Sequence, residues 1–266
     1  MSESESSDAT AVSEPLAGSY GIDNPYVVAV FSAVGVVAAA FGVAAVAGSQ
    51  PAAAIGPAIA AVFLFVVVWL MVRSSRVVKV RLWEDLLDDV DLAGDEEVLD
   101  IGCGRGLVTV LAARRVPDGS VAGIDIWRPR DQSGNKRAAA EANLEIEGVA
   151  DRVEIVDADM IQLPFEDQSF DLVTAGLSIH NLALGKDRKT AIDEIVRVLR
   201  PGGHIVIVDV GPTMEFADGL ETAKLADVDR SQRLWAHYPP VRVVTARKRG
   251  GSGSNRPPGW NKKKRK

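Results

Sequence analysis

Val98-Leu99-Asp100-Ile101-Gly102-Cys103-Gly104-Arg105-Gly106-Leu107 is an apolar run carrying one acid, which passes into a glycine-rich loop. The residues that follow, 107–115, have helical spacing. Strand, glycine loop and helix in that order form a nucleotide-binding arrangement, because glycine lets a ligand approach the backbone closely. The glycines stand at 102, 104 and 106, and Leu107 occupies the position where a dinucleotide fingerprint would place another glycine. Asp100 precedes the loop; a pyrophosphate would be repelled by that carboxylate, whereas an ammonium group would be attracted. Taken alone, the loop is also compatible with a purely structural turn.

Working outward, 121–126 reads as the next strand and ends in Asp125, about twenty residues beyond the loop. A carboxylate there suits ribose hydroxyls, although an acid that merely ends a strand is common. The alternation continues with helix 136–147, strands 153–156 and 170–175, amphipathic helix 189–199, and the apolar strand 204–210 after Pro201-Gly202-Gly203. A weaker helix follows Pro212, and 229–235 and 241–247 are candidate strands of a closing hairpin. Repeated βα units predict a doubly wound, Rossmann-like α/β fold. Its seven-stranded sheet should be mostly parallel with the last strand antiparallel.

Upstream, 27–47 and 52–72 are uncharged apolar runs separated by Gly48-Ser49-Gln50-Pro51. As helices they would each reach roughly 31 Å, the thickness of a bilayer core. The other reading is a pair of buried core helices. Trp69 suits an interfacial belt, and Arg73, Arg76, Lys79 and Arg81 follow at once. Positive flanks favour the cytoplasm, which would put the following domain and both termini there. Trp83, Leu86, Leu87 and Val90 share one helical face. The expected organisation is an acidic disordered tail (1–26), a transmembrane hairpin (27–72), a linker with an amphipathic helix (73–94), the α/β domain (95–248) and a basic disordered tail (249–266).

The chain has 266 residues and a net charge of −6, yet 249–266 holds seven Lys or Arg and no acid. The body is therefore acidic, which disfavours nucleic acid as a partner. The tail could lie on anionic lipid or remain solvated. A single cysteine and three histidines exclude an internal disulfide and argue against a zinc site; no metal is expected.

Four further places complete the pattern: Asp125 with Ile126; Asp157-Ala158-Asp159-Met160 followed by Leu163-Pro164-Phe165; Phe170-Asp171-Leu172-Val173; and Leu199-Arg200-Pro201-Gly202-Gly203. Together with the opening loop they resemble class I S-adenosylmethionine-dependent methyltransferases, of the small-molecule type related to ubiquinone and menaquinone biosynthesis. The resemblance covers about 83–248. It implies S-adenosyl-L-methionine as cofactor, held by Asp100, Gly102, Gly104, Arg105 and Gly106 of the loop. It further implies ribose contact at Asp125, adenine contacts at Ile126, Asp159 and Met160, and Gly176 beside the methionine part. The chain departs from the pattern in the polar loop 127–135, which either shapes the acceptor pocket or only connects, and in the short 213–238 region, which leaves little material for a lid. The Asn/Asp-Pro-Pro-Tyr/Phe signature of amino-directed DNA methylation is absent.

His180 follows the fourth strand, where an acceptor would sit, and is a candidate for acceptor binding or proton removal; a capping or packed histidine is the other reading. The functional expectation is a membrane-anchored methyltransferase acting on a small-molecule or lipid-soluble acceptor. Its rivals are a non-catalytic cofactor-binding membrane module and a nicotinamide-dependent oxidoreductase, against which the glycine spacing speaks.

Overall fold

The computed structural model describes residues 15–250; the expected basic tail beyond 250 and the acidic residues before 15 lie outside them. Helices α1 (Pro25–Ala47) and α2 (Pro51–Arg73) form an antiparallel hairpin. Small residues let the two approach: Gly35 faces the Phe65 ring, and Gly42 faces the backbone near Ala54 and Ala58. Outward, the hairpin shows large apolar side chains, among them Phe41, Val43, Ile59 and Phe63, each more than 60% exposed. Buried core helices would not leave such side chains uncovered. Both helices are long and apolar enough to cross a membrane.

The second helix does not stop at its basic flank. It runs through a π-helical turn (Ser74–Val78) into α3 (Lys79–Asp88), so one helical rod joins the hairpin to the α/β domain. Trp83, Leu86, Leu87 and Val90 are all buried, as their shared face predicts. Lys79 is an exception among the flanking cations. It is buried and paired with Asp23 at 2.8 Å, whereas Arg73, Arg76 and Arg81 are exposed.

The sheet has strand order β3-β2-β1-β4-β5-β7-β6, with β1 (Glu97–Ile101), β2 (Ser120–Asp125), β3 (Val153–Asp157), β4 (Phe170–Gly176), β5 (Leu199–Asp209), β6 (Ala226–Arg230) and β7 (Arg242–Arg247). β1 to β5 pair in parallel and β7 is antiparallel to both its neighbours. Helices α4 (Leu107–Ala113), α5 (Arg137–Ile146), α6 (Gly185–Val198) and α7 (Thr213–Thr222) complete the layers. Side-chain alternation along β1 divides the core. Val98 joins α3 and α4 on one face, while Leu99 and Ile101 join α6 and α7 on the other.

Three boundaries differ from the sequence reading. β5 begins at Leu199 because the glycine turn that should have stopped the preceding helix pairs with the end of β7 (Gly202 N to Lys248 O, 2.8 Å). β6 is Ala226–Arg230 rather than 229–235, since beyond it only the isolated bridge between Leu234 and Val241 forms. The segment 18–24 is no loose tail. Gly18 N and the Tyr20 hydroxyl both donate to Glu147 Oε1 (2.6 and 2.8 Å), Ser19 N donates to Asn143 Oδ1 (3.0 Å), and Asn24 N donates to Asp131 O (3.2 Å). The acidic, serine-rich residues that precede it concealed these specific partners.

Trp83 is fully buried between the rod and the sheet. Trp83→Ala is expected to cost about 3–5 kcal/mol, read as a lower urea midpoint of the α/β domain's near-ultraviolet signal. A change below about 1 kcal/mol would mean that the rod does not brace the domain.

Candidate active site

The chain runs β1, β2, β3 toward one edge and then returns to β4 on the other side of β1. In such sheets the crevice for a ligand opens at the carboxyl ends of the two strands flanking the reversal. A cleft lies there. Gly102 ends β1 in a left-handed conformation (φ 71°), and an added Cβ would collide with Ser178, whose hydroxyl donates to Ile101 O at 2.9 Å. Gly104, also left-handed, donates its N–H to Asp125 Oδ2 at 2.9 Å, and Trp127 N donates to Asp125 Oδ1 at 2.6 Å. The acid at the end of β2 thus sets the glycine loop and the following loop at once.

Asp100, Gly102, Gly104 and Asp125 line this cleft, as do Ile126, Asp159, Met160 and Gly176. Arg105 and Gly106 do not. Arg105 turns away, with its N–H on Gln132 Oε1 (3.0 Å) and its guanidinium on Ser133 O (3.3 Å). Gly106 serves α4 as a left-handed cap (φ 81°). His180 lies outside the cleft, on an adjoining cavity.

Asp100 is 1% exposed and accepts from Thr109 Oγ1 (2.7 Å) on α4 and Thr174 Oγ1 (3.0 Å) on β4. Burial pushes its carboxyl up to about 6, against the pull of those hydroxyls. Asp159 Oδ1 accepts from Ile161 N at 3.2 Å. Its segment is pinned from α6: Glu194 accepts from Leu163 N (2.8 Å), and Arg197 donates to Phe165 O (2.8 Å) and Leu163 O (3.1 Å).

Three parts of the wall were not foreseen. Lys79 and Trp83 enter from α3, and Asp23 enters from the N-terminal segment. A signal existed for Lys79, which is four residues before Trp83 on the apolar stripe, where a solvated lysine would be out of place. No pattern marked Asp23. The polar loop also proves to be more than a connection. Asp131 and Gln132 line the cleft, and Gln132 Nε2 donates to Tyr20 O at 2.9 Å, so the loop is the seat on which the N-terminal segment rests.

The site offers carboxylates at three neighbouring strand ends, apolar side chains at Ile126 and Met160, and a buried lysine. This set fits a ligand with a ribose, a heterocycle and a zwitterionic amino-acid end. It leaves no cationic cradle in the glycine loop for a pyrophosphate.

Residues 99–207 match a family described as a methyltransferase domain. Methyltransferase GfsG of Streptomyces halstedii is 35% identical over 130 residues, 49% of this chain and 43% of that protein. Demethylmenaquinone methyltransferase of Staphylococcus aureus is 33% identical over 137 residues, 50% of this chain and 52% of that protein. The chain thus spans about half the length of these curated relatives. Among solved structures, the [4+2]-cyclase SpnF superposes with a TM-score of 0.55 at 22% identity, covering 67% of this chain and 84% of that one. An O-methyltransferase family protein from Burkholderia thailandensis gives 0.52 at 17% identity, covering 73% and 61%. These two likenesses show the fold.

The raised pKa of Asp100 has a consequence for stability. A carboxyl that is harder to ionise in the folded state favours folding at pH values below the usual carboxylate range, and that advantage is lost as pH rises through about 6. Asn cannot titrate, so the difference between the urea stabilities of wild type and Asp100→Asn should change by about 3 kcal/mol between pH 3 and pH 7, with wild type losing ground as pH rises. A flat difference would show that Asp100 ionises like a solvated acid.

Proposed function

We propose that this chain, which carries a class I S-adenosylmethionine-dependent methyltransferase domain, is a membrane-anchored enzyme that methylates a small or lipid-soluble acceptor. One observation carries the reading: Asp100 on β1, Asp125 at the end of β2 and Asp159 just past β3 line one cleft together with Gly102 and Gly104.

The residues divide the work. Asp125 accepts from ribose hydroxyls and Asp159 from the adenine amino group, with Ile126 and Met160 against the ring. Asp100 offsets the positive amino-acid end, and Lys79 is the cation for its carboxylate. The bound sulfonium supplies a methyl group already activated for displacement, so what remains for the protein is alignment and exclusion of water. Arg105 and Gly106 act indirectly, by shaping the loop.

His180 is the candidate for receiving an acceptor proton. Its Nδ1 lies 2.7 Å from Asp209 Oδ1, and its backbone N–H donates to Asp209 Oδ2 at 3.1 Å. The Nδ1 contact is ionic rather than a well-aligned hydrogen bond. Burial opposes protonation of His180, but the Asp209 carboxylate outweighs it and raises the imidazole pKa. Asp209 is fully buried at the end of β5, so it holds the ring in place.

The membrane part of the reading rests on the uncovered apolar faces of α1 and α2. Both open ends of the hairpin face the α/β domain, and the exposed Arg73, Arg76 and Arg81 at that end favour the cytoplasmic side.

S-adenosylhomocysteine is expected to bind the full chain in detergent, and NAD is not; the reverse preference would sink the cofactor assignment. Asp125→Ala should weaken that binding at least about tenfold, the loss of hydrogen bonds to a charged group. His180→Ala should keep the affinity but lower transfer of labelled methyl into cell lipid extracts by about 10²-fold. Unchanged transfer would return His180 to a packing role.

A further inference from the structure

A second cavity adjoins the cofactor cleft and shares Asp23, Asp131, Leu177 and Asn181 with it. Beyond those four residues its walls come from parts of the chain outside the cofactor cleft. Tyr26 stands in the first turn of α1 and Met71 in the last turn of α2, so the cavity lies at the base of the apolar hairpin. His180 and His237 line it as well.

His237 is 2% exposed, and its Nδ1 lies 2.7 Å from the Pro239 carbonyl. A carbonyl only accepts, so Nδ1 carries the proton and Nε2 is a bare acceptor. That Nε2 is buried and has no hydrogen-bond partner. A buried polar atom left without a partner costs about 1–3 kcal/mol, a cost that a bound donor would remove. Burial also pushes the His237 pKa down, with Lys79 adding to that and Pro239 and Asp23 opposing it, so the ring stays neutral near pH 7.

We propose that this cavity is the acceptor site and that it takes an amphiphile bearing a phenol-like hydroxyl. The hydroxyl donates to His237 Nε2 beside His180, and the apolar part leaves past Tyr26 and Met71 toward the hairpin. The proposal rests on the methyltransferase reading for its link to the cofactor. The chemistry follows from the two rings. A neutral imidazole acceptor selects an O–H donor and orients it, and the second imidazole, braced by Asp209, is left to take a proton from another position of the acceptor. A fully polar acceptor would gain nothing from a mouth at the foot of two apolar helices, whereas a bilayer-dissolved one would reach the site without crossing water.

The chain contains three histidines, 180, 204 and 237, which makes the test direct. His204 sits at the start of the β4–β5 ladder, opposite Leu172, and serves as internal reference. The full chain with ¹⁵N-labelled imidazoles, in detergent and saturated with S-adenosylhomocysteine, is titrated with 4-octylphenol and separately with 4-octylanisole, which lacks the donor. The expected result is a saturable shift of the His237 Nε2 resonance by the phenol, no comparable shift of His204, and at least tenfold weaker binding of the ether. His237→Phe should lose at least tenfold in phenol affinity while S-adenosylhomocysteine affinity stays within twofold; His237→Gln, which retains an acceptor, should lose less. Equal binding of phenol and ether, or phenol binding unchanged in His237→Phe, overturns the proposal. Failure of the wild-type chain to bind S-adenosylhomocysteine, measured without phenol, would instead overturn the cofactor reading.

Discussion

The Trp83 indole packs against Gly176, where an added Cβ would come within 3.2 Å of the ring. That contact joins three things that could otherwise move independently. Trp83 belongs to the rod that begins in the apolar hairpin, Gly176 ends β4 at the reversal of the sheet, and both line the cofactor cleft. A larger residue at 176 would push the rod outward, and a smaller one at 83 would leave a void at the cleft floor. The position of the hairpin relative to the cleft therefore follows from ordinary core packing, without any flexible linker between them.

The polar groups on the same face obey the same alternation. Leu172, Thr174 and Gly176 point from β4 toward α3 and α4, and Val98 and Asp100 do so from β1. Asp100 is tolerated in this interior because two threonine hydroxyls meet it, and even so its ionisation is held back. Near the mouth, charge is handled by pairing. Lys79 pairs with Asp23 in the cleft wall, and Gln132 links the N-terminal segment to the glycine loop through Tyr20 O and Arg105 N. Asp23 and the 127–135 loop contribute wall to the cleft, and the short 213–238 region does not reach it. That region contributes instead to the second cavity, through His237 and Tyr238, with Pro239 directly after it.

The alternation of apolar runs, the glycine spacing and the strand-end acids determined the α/β class, the seven strands and the strand ends at which the candidate cleft lies. These are local signals: a period of two or 3.6, a turn that only glycine adopts, a carboxylate at a strand end. The same signals marked two helices of bilayer length and the buried face of α3. They placed Arg105 and Gly106 in the glycine loop but could not show that both face away from the cleft, because backbone direction within a loop depends on what docks against it. The placements of Asp23, Gln132 and His237 belong to tertiary structure alone, and Lys79, though out of place on an apolar stripe, needed the structure to show its partner. Each acquires its meaning from a partner distant in sequence, as Asp23 does from Lys79 and the Gly104 N–H does from Asp125. No periodicity records such pairs; they exist only once the rod, the sheet and the N-terminal segment have packed together.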